Sequence, residues 1–293
     1  MIIEMKNRIE YFLFLLFSLA FRLLGLNTSR KLSGLLAVIF YYFIPIRKKT
    51  VLENLTNAFP GYDKQTLRSI AYNTYKSFLT AFIEILYLQK ISQQELETAV
   101  NCPNKNLIVE KFEEGKGVIL LSAHFGNWEY VAASVALQLD LPFSVVVKPQ
   151  RNPYVSGWMN NVRTRWNNDI VSLGLSIRKT YQTLKEKRVV AMVADQRGPQ
   201  ESIKVEFFGR KVSVHVGPAV LALRTGAPIL CGIPVRQKDY SYKIVMHEIS
   251  KDNLPEDNEE KIIELSQRHT SYLESFIREY PEQWLWMHKR WKH

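Results

Sequence analysis

The chain has 293 residues, 46% hydrophobic and 23% charged, a balance that supports a sizeable buried core and excludes a disordered or collagen-like chain. Its two cysteines, Cys102 and Cys231, stand far apart with no CxxC spacing, which argues against a disulfide framework and against a zinc cluster. A net charge of +11 calls for an acidic partner, and nucleic acid, a phospholipid surface and an acidic carrier all qualify until the charge is located along the chain.

More than half of the excess lies in the first fifty residues, where eight Lys or Arg face only Glu4 and Glu10. The same stretch carries the apolar runs Tyr11 to Phe21 and Leu32 to Ile46, separated by Arg22 and the turn-like Leu26-Asn27-Thr28-Ser29. Cations bracketing apolar helices point to a bilayer, and a stretch this apolar serves nucleic acid poorly. Neither run reaches the ~20 apolar residues of a comfortable span, although Tyr11 to Leu26, at ~1.5 Å per residue, crosses if Arg22 snorkels. The pattern predicts one short anchor and a second helix lying in the interface, so residues 1–46 read as membrane-anchoring helices. A pair of buried core helices would not need the flanking cations, and a cleaved signal peptide lacks its small-residue site.

From residue 47 onward no linker, repeat or low-complexity tract interrupts the pattern, which predicts a single domain over 47–293. Lys64 to Leu88 has helical periodicity, with Leu67, Ala71, Tyr75, Phe78, Leu79, Phe82 and Leu86 at three- and four-residue steps. Short apolar runs then read as strands at Gly117 to Ser122, Phe143 to Val147, Val189 to Ala194, Ile229 to Ile233 and Tyr242 to His247. Helices are expected at Asn127 to Gln138, Asn152 to Asn167, Ile177 to Lys187, Pro218 to Thr225 and Glu259 to Glu279. The alternation predicts an α/β fold, a mostly parallel central sheet with helices on both faces and ligands beyond the carboxyl ends of its strands.

The first of those strand ends carries the clearest signal, His124-Phe125-Gly126-Asn127-Trp128-Glu129. Gly126 permits a sharp turn, Asn127 can cap the following helix, and Glu129 falls in its first turn. If Glu129 accepts from one ring nitrogen of His124, the other can take a proton from an attacking hydroxyl. The plain alternative is a satisfied core histidine beside a carboxylate that complements the helix dipole. No G-x-S-x-G elbow, H-E-x-x-H or G-x-x-x-x-G-K-[ST] occurs, which counts against a serine hydrolase, a zincin and a P-loop enzyme.

This corner resembles the H-x4-D/E signature of bacterial glycerolipid and lipid A acyltransferases, and within them the late lipid A (lauroyl/myristoyl) branch. The resemblance extends over nearly the whole chain through Asn54-Leu55, Ala58-Phe59-Pro60, Lys148-Pro149 with Asn152-Pro153, Arg163 with Arg165, Asp195-Gln196, Phe207-Phe208-Gly209-Arg210, Gly217-Pro218-Ala219, Arg224-Thr225-Gly226-Ala227-Pro228 and Pro281-Glu282-Gln283-Trp284-Leu285-Trp286. It implies transfer of a fatty acyl chain from an acyl carrier protein or coenzyme A thioester to a hydroxyl of a lipid A precursor, at the inner membrane with the domain on its cytoplasmic side. An activated thioester needs no cofactor and no metal. His124 would act as general base with Glu129 steadying the imidazole, while Arg163, Asp195, Asn127, Arg165 and Lys148 form the candidate substrate-binding or oxyanion set. Lys148 departs from the arginine usual at its place, which weakens any bidentate contact there.

Asp195 is expected to orient Arg163 or the acceptor, and the alternative for Arg163 and Arg165 is an exposed basic helix face. Lys204, Arg210 and Lys211 read by default as solvated charges. At the C-terminus, Trp284 and Trp286 read as packing and the following His288, Lys289, Arg290 and Lys292 as a membrane-surface cluster. A closed apolar groove with His124 at its mouth is expected to measure the acyl chain. The rival readings are acylation of another glycolipid, such as a phosphatidylinositol mannoside, and a non-catalytic lipid binder; no nucleic acid partner is expected.

Overall fold

The computed structural model describes residues 2–166, 168–172 and 176–292. The chain opens with α1 (Ile2–Leu24) and α2 (Leu26–Val38), and a π-helical turn leads on to α3 (Lys48–Ala58) and α4 (Lys64–Tyr87). Next come α5 (Gln93–Thr98), β1 (Val100–Asn101), α6 (Asn106–Glu113), β2 (Val118–Ser122), α7 (Trp128–Leu139), β3 (Phe143–Val147), α8 (Pro153–Thr164) and β4 (Asp169–Ser172). The remainder is α9 (Ser176–Lys185), β5 (Val189–Val193), β6 (Lys204–Phe207), β7 (Arg210–Ser213), α10 (Gly217–Thr225), β8 (Ile229–Gly232), β9 (Val235–Arg236), β10 (Tyr242–Lys243), β11 (Met246–Glu248) and α11 (Asn258–Glu279).

The main sheet has six strands in the order β11-β8-β2-β5-β3-β4, parallel except for the edge strand β11. The continuous apolar runs of β2, β5 and β8 suit strands covered on both faces, and their residues are almost wholly buried. Strand β2 runs on in sequence to β3, yet its neighbours in the sheet are β5 and β8. The crevice between β2 and β5 is thus a point where successive connections leave in opposite directions, the usual place for a ligand site in open α/β sheets.

The expected α/β architecture is therefore present, with differences where the signal was short. The run Tyr242 to His247 divides: β10 pairs with β1 and β9 in a separate small sheet, and β11 returns to the main one. Strand β4 and the β6–β7 hairpin were not anticipated because each strand has only four residues mixing polar and apolar side chains. The hairpin turns through Phe208 and Gly209, both with positive φ, as a two-residue loop requires. Helix α8 stops at Thr164, and the expected end at Asn167 lies outside the described residues.

The N-terminal helices differ most from expectation. Among the described residues no helix is long and apolar enough to cross a membrane; α1 has 23 residues, but Glu4, Lys6, Arg8 and Glu10 interrupt its first turns. The short spanning anchor gives way to a helix lying along the protein, where Tyr11 stacks on Tyr154 and Phe14 meets Trp158 edge-on, both on α8. Helix α2 is embedded more deeply, burying Ser29, Arg30, Ser33 and Ala37 against α4. Packing is continuous across residue 46, since Tyr41 is buried among Tyr72 and Tyr75 of α4.

Candidate active site

Strands β2 and β5 pair in register, Ser122 opposite Val193, so the residues two places further on, His124 and Asp195, emerge side by side. Asp195 accepts from the His124 backbone N–H at 3.1 Å through Oδ2, while its Oδ1 lies 2.7 Å from the ring Nδ1. Burial opposes the charge on Asp195, but the His124 ring, its hydrogen bonds and an indole N–H from Trp284 prevail and hold the carboxyl at about 2. An ionised carboxylate only accepts, so Nδ1 carries a proton, and in the neutral ring Nε2 keeps its lone pair. Burial also disfavours the charged imidazole, yet the Asp195 charge and hydrogen bond, with Glu129 adding to them, raise its affinity for a proton above the ordinary value.

The turn after β2 is clamped from several sides. Gly126 has φ of +52°, and a Cβ there would meet the Pro234 carbonyl oxygen at 2.3 Å, so no other residue fits the corner. Its N–H donates to the Gln283 carbonyl at 2.9 Å, and Leu285 N–H donates to the His124 carbonyl at 2.9 Å. Asn127 caps α7 by accepting from Tyr130 N–H and directs its amide to Glu84 at 3.0 Å and the Ala81 carbonyl at 3.3 Å. The Trp128 ring stands edge-on to His124 with centroids 4.7 Å apart.

Glu129 does not hold His124. Its carboxylate takes both Nε, at 2.9 Å, and Nη2 of Arg163, a two-point pair formed between the first turn of α7 and the last of α8 with both side chains near one-tenth exposed. Asp195, expected to orient Arg163, is instead the imidazole's partner, because the strand order brings β5 beside β2. Asn127 is fully buried, with its side chain engaged by Tyr130, Glu84 and Ala81 in the scaffold of the turn. Arg165 caps the end of α4 by donating to the carbonyls of Leu88 at 2.8 Å and Ile91 at 2.9 Å. Lys148 is exposed at the carboxyl end of β3, and Lys204, Arg210 and Lys211 are exposed on the hairpin.

Two C-terminal residues enter the site that the sequence had assigned elsewhere. Trp284, read as packing, is buried but donates its indole N–H to Asp195 Oδ2 at 2.9 Å. Arg290, read as membrane surface, is 3% exposed, donates to the Ser213 carbonyl at 2.8 Å and lies over the Phe207 ring. It lines, with Asp195 and His269, a small cavity behind the sheet end. Trp286 is core, as expected. The concavity on the His124 side, between Thr74, Phe78, Trp128, Glu282 and Leu285, is small and partly open, and does not by itself form the expected closed groove.

The family model described as bacterial lipid A biosynthesis acyltransferase matches residues 3–293. The chain belongs to that family. Among its relatives, the phosphatidylinositol mannoside acyltransferase of Mycobacterium tuberculosis (strain ATCC 25618 / H37Rv) is 28% identical over 120 residues, 40% of this chain and 38% of the relative. The chain thus spans under two-fifths of that relative's length. The lipid A biosynthesis lauroyltransferase of Escherichia coli (strain K12) is 24% identical over 255 residues, 85% of this chain and 80% of the relative, and the palmitoleoyltransferase of the same strain is 22% identical over 252 residues with the same coverage. Family membership agrees with the resemblance read from the His124 to Glu129 corner.

Proposed function

We propose that this family member transfers a fatty acyl chain from a thioester, on acyl carrier protein or coenzyme A, to a hydroxyl of a lipid A precursor. The observation that carries the reading is the 2.7 Å contact between His124 Nδ1 and the ionised Asp195, which leaves Nε2 free to act as a base. His124 Nε2 takes the proton of the lipid hydroxyl as its oxygen attacks the thioester carbonyl. Asp195 holds the ring and offsets the imidazolium charge. Collapse breaks the C–S bond, the proton passes from Nε2 to the departing sulfur, and an ester and a free thiol result. Neither a covalent acyl-enzyme nor a metal or redox cofactor enters this sequence.

Arg163, fixed on Glu129 through Nε and Nη2, has in Nη1 only a 3.5 Å contact to Asn160, which suits it to an oxygen of a phosphate or of the developing oxyanion. Of the 18 large apolar side chains exposed among the described residues, 15 lie within the first 46. This distribution favours an in-plane seat on a lipid surface. Arg47, Lys48 and Lys49 beside it favour the cytoplasmic face of the inner membrane, where thioester donors are made. A second acceptor, a phosphatidylinositol mannoside, is favoured by the 28% identity to the mycobacterial enzyme.

The experiment is lipid analysis of a strain lacking the gene. Loss of one acyl chain from lipid A, restored by the wild-type chain but not by a His124→Gln variant, is the expected result. Loss from an inositol mannoside selects the second reading, and unchanged glycolipids contradict both.

A further inference from the structure

The C-terminal segment 283–286 lies against the catalytic turn as an antiparallel partner. Phe125 bridges Trp284, Gly126 N–H donates to the Gln283 carbonyl, and Leu285 N–H donates to the His124 carbonyl. From that strap the Trp284 ring enters the core at 2% exposure and ends on Asp195 Oδ2 at 2.9 Å, beside the His124 N–H that reaches the same oxygen at 3.1 Å. Asp195 thus has one oxygen held twice and the other given to the imidazole. The strap is itself anchored: the Asn54 amide on α3 donates to the carbonyls of Trp286 at 2.7 Å and His288 at 2.6 Å.

We infer that Trp284 is a positioning residue of the His124–Asp195 pair, and that the C-terminal strap is part of the active site and not merely packing beneath it. The inference deepens the acyl-transfer reading and rests on it. The indole N–H stabilises the carboxylate and spreads its charge, so it moderates the pull of Asp195 on the Nδ1 proton. A buried donor that only filled space would have no reason to end on the one carboxylate touching the catalytic ring; Trp286, its neighbour on the strap, ends on a backbone carbonyl, that of Pro281.

Other charges also face the pair and set the baseline. Glu129, itself paired with Arg163, raises the proton affinity of His124. Arg197, His215, His288 and Arg290 stand around Asp195 from the loop after β5, the segment after β7 and the C-terminus, and His269 of α11 lines the cavity behind it. None of these changes when Trp284 alone loses its N–H.

The test is Trp284→Phe, with Trp286→Phe as the control, in purified full-length protein. Imidazole signals are followed by NMR against pH without substrate, and the His124 signal is assigned by its absence from His124→Gln. Without the indole donor, Asp195 becomes more basic, the imidazolium is favoured, and the His124 midpoint should rise by about half a unit or more. Trp286→Phe should leave it in place. The rate of acyl transfer by Trp284→Phe should fall about threefold on the acidic limb and return to wild type on the alkaline plateau, with KM for the thioester unchanged. An unshifted or lowered midpoint, or a loss of rate that pH does not recover, overturns the inference. Should Trp284→Phe fail to fold, one indole N–H signal of the wild-type protein must titrate with the His124 midpoint and stop doing so in His124→Gln; no such signal contradicts the proposal. The NMR readout involves no turnover, so it separates failure of this inference from failure of the acyl-transfer reading, which would appear as absent transfer by the wild-type protein.

Discussion

Replacing His124 by Gln should lower acyl transfer by ~10²-fold or more, because Nε2 of its ring is the group proposed to take the hydroxyl proton. Melting should stay close to wild type, since the ring is partly exposed and its backbone contacts to Asp195, Leu285 and the sheet survive. Asp195→Asn should cost ~10²–10⁴-fold, since the amide neither balances the imidazolium nor selects the tautomer with Nε2 free. The wild type and Asp195→Asn differ in a way that pH reads. In the wild type the neutral ring is needed and Asp195 and Glu129 raise its proton affinity, so activity should climb with pH through a midpoint above 6.5. In Asp195→Asn, burial acts with less opposition, and the residual activity should climb through a lower midpoint. Glu129→Gln acts chiefly by releasing Arg163, so its loss should appear in substrate binding as well as in rate. Rate against pH for the three variants checks the assignment.

Deleting residues 1–46 should not yield a soluble enzyme freed of its anchor; it should yield a chain that does not melt cooperatively. Glu84 is wholly buried and accepts from Arg30 at 2.8 Å, from Asn127 at 3.0 Å and from Tyr242, with Arg236 at 3.8 Å. Removing Arg30 from such a network typically costs ~3–5 kcal/mol, a large part of the ~5–15 kcal/mol that holds a domain together. The deletion also uncovers the face of α4 that receives Ser33, Ala37 and Tyr41. Calorimetry and limited proteolysis of the 47–293 fragment check this, and a cooperative, protease-resistant fragment would contradict it. The lipid surface is better probed in the full chain by Phe12→Ser, Leu16→Ser and Leu23→Ser, all exposed on α1, each expected to weaken vesicle binding about tenfold for ~1.4 kcal/mol of lost burial.

The packing of the N-terminal helices on the domain was not legible in the sequence, for a physical reason. Apolar residues between cations look alike in sequence whether they face lipid or protein, and Arg30 reads as a flank when its partner is 54 positions away. The main strands were legible because both-face burial demands unbroken runs such as Val118-Ile119-Leu120-Leu121. The corner His124 to Glu129 was legible as a whole because turn, cap and carboxylate are all local. Its wiring was not. Glu129 is near His124 in sequence, but the partner comes from β5, and nothing in a single sequence states that β5 inserts between β2 and β3. The one available signal was positional: Asp195 follows its strand by the same two residues as His124 follows β2. Trp284 and Arg290 lay beyond reach for a similar reason, since an aromatic and basic C-terminus has the same composition at a membrane surface as it has folded under a sheet.

Movement of an acyl chain from sulfur to a lipid hydroxyl by the His124–Asp195 pair can be followed directly. The most direct measurement uses purified full-length protein, a thioester labelled in its acyl chain, and lipid vesicles carrying a lipid A precursor with a free hydroxyl. Labelled ester on the lipid and one equivalent of free thiol are expected in the wild type, with both lost in His124→Gln and Asp195→Asn. Label transfer that persists undiminished in His124→Gln, or thiol release with no ester on any hydroxylated lipid offered, would contradict it.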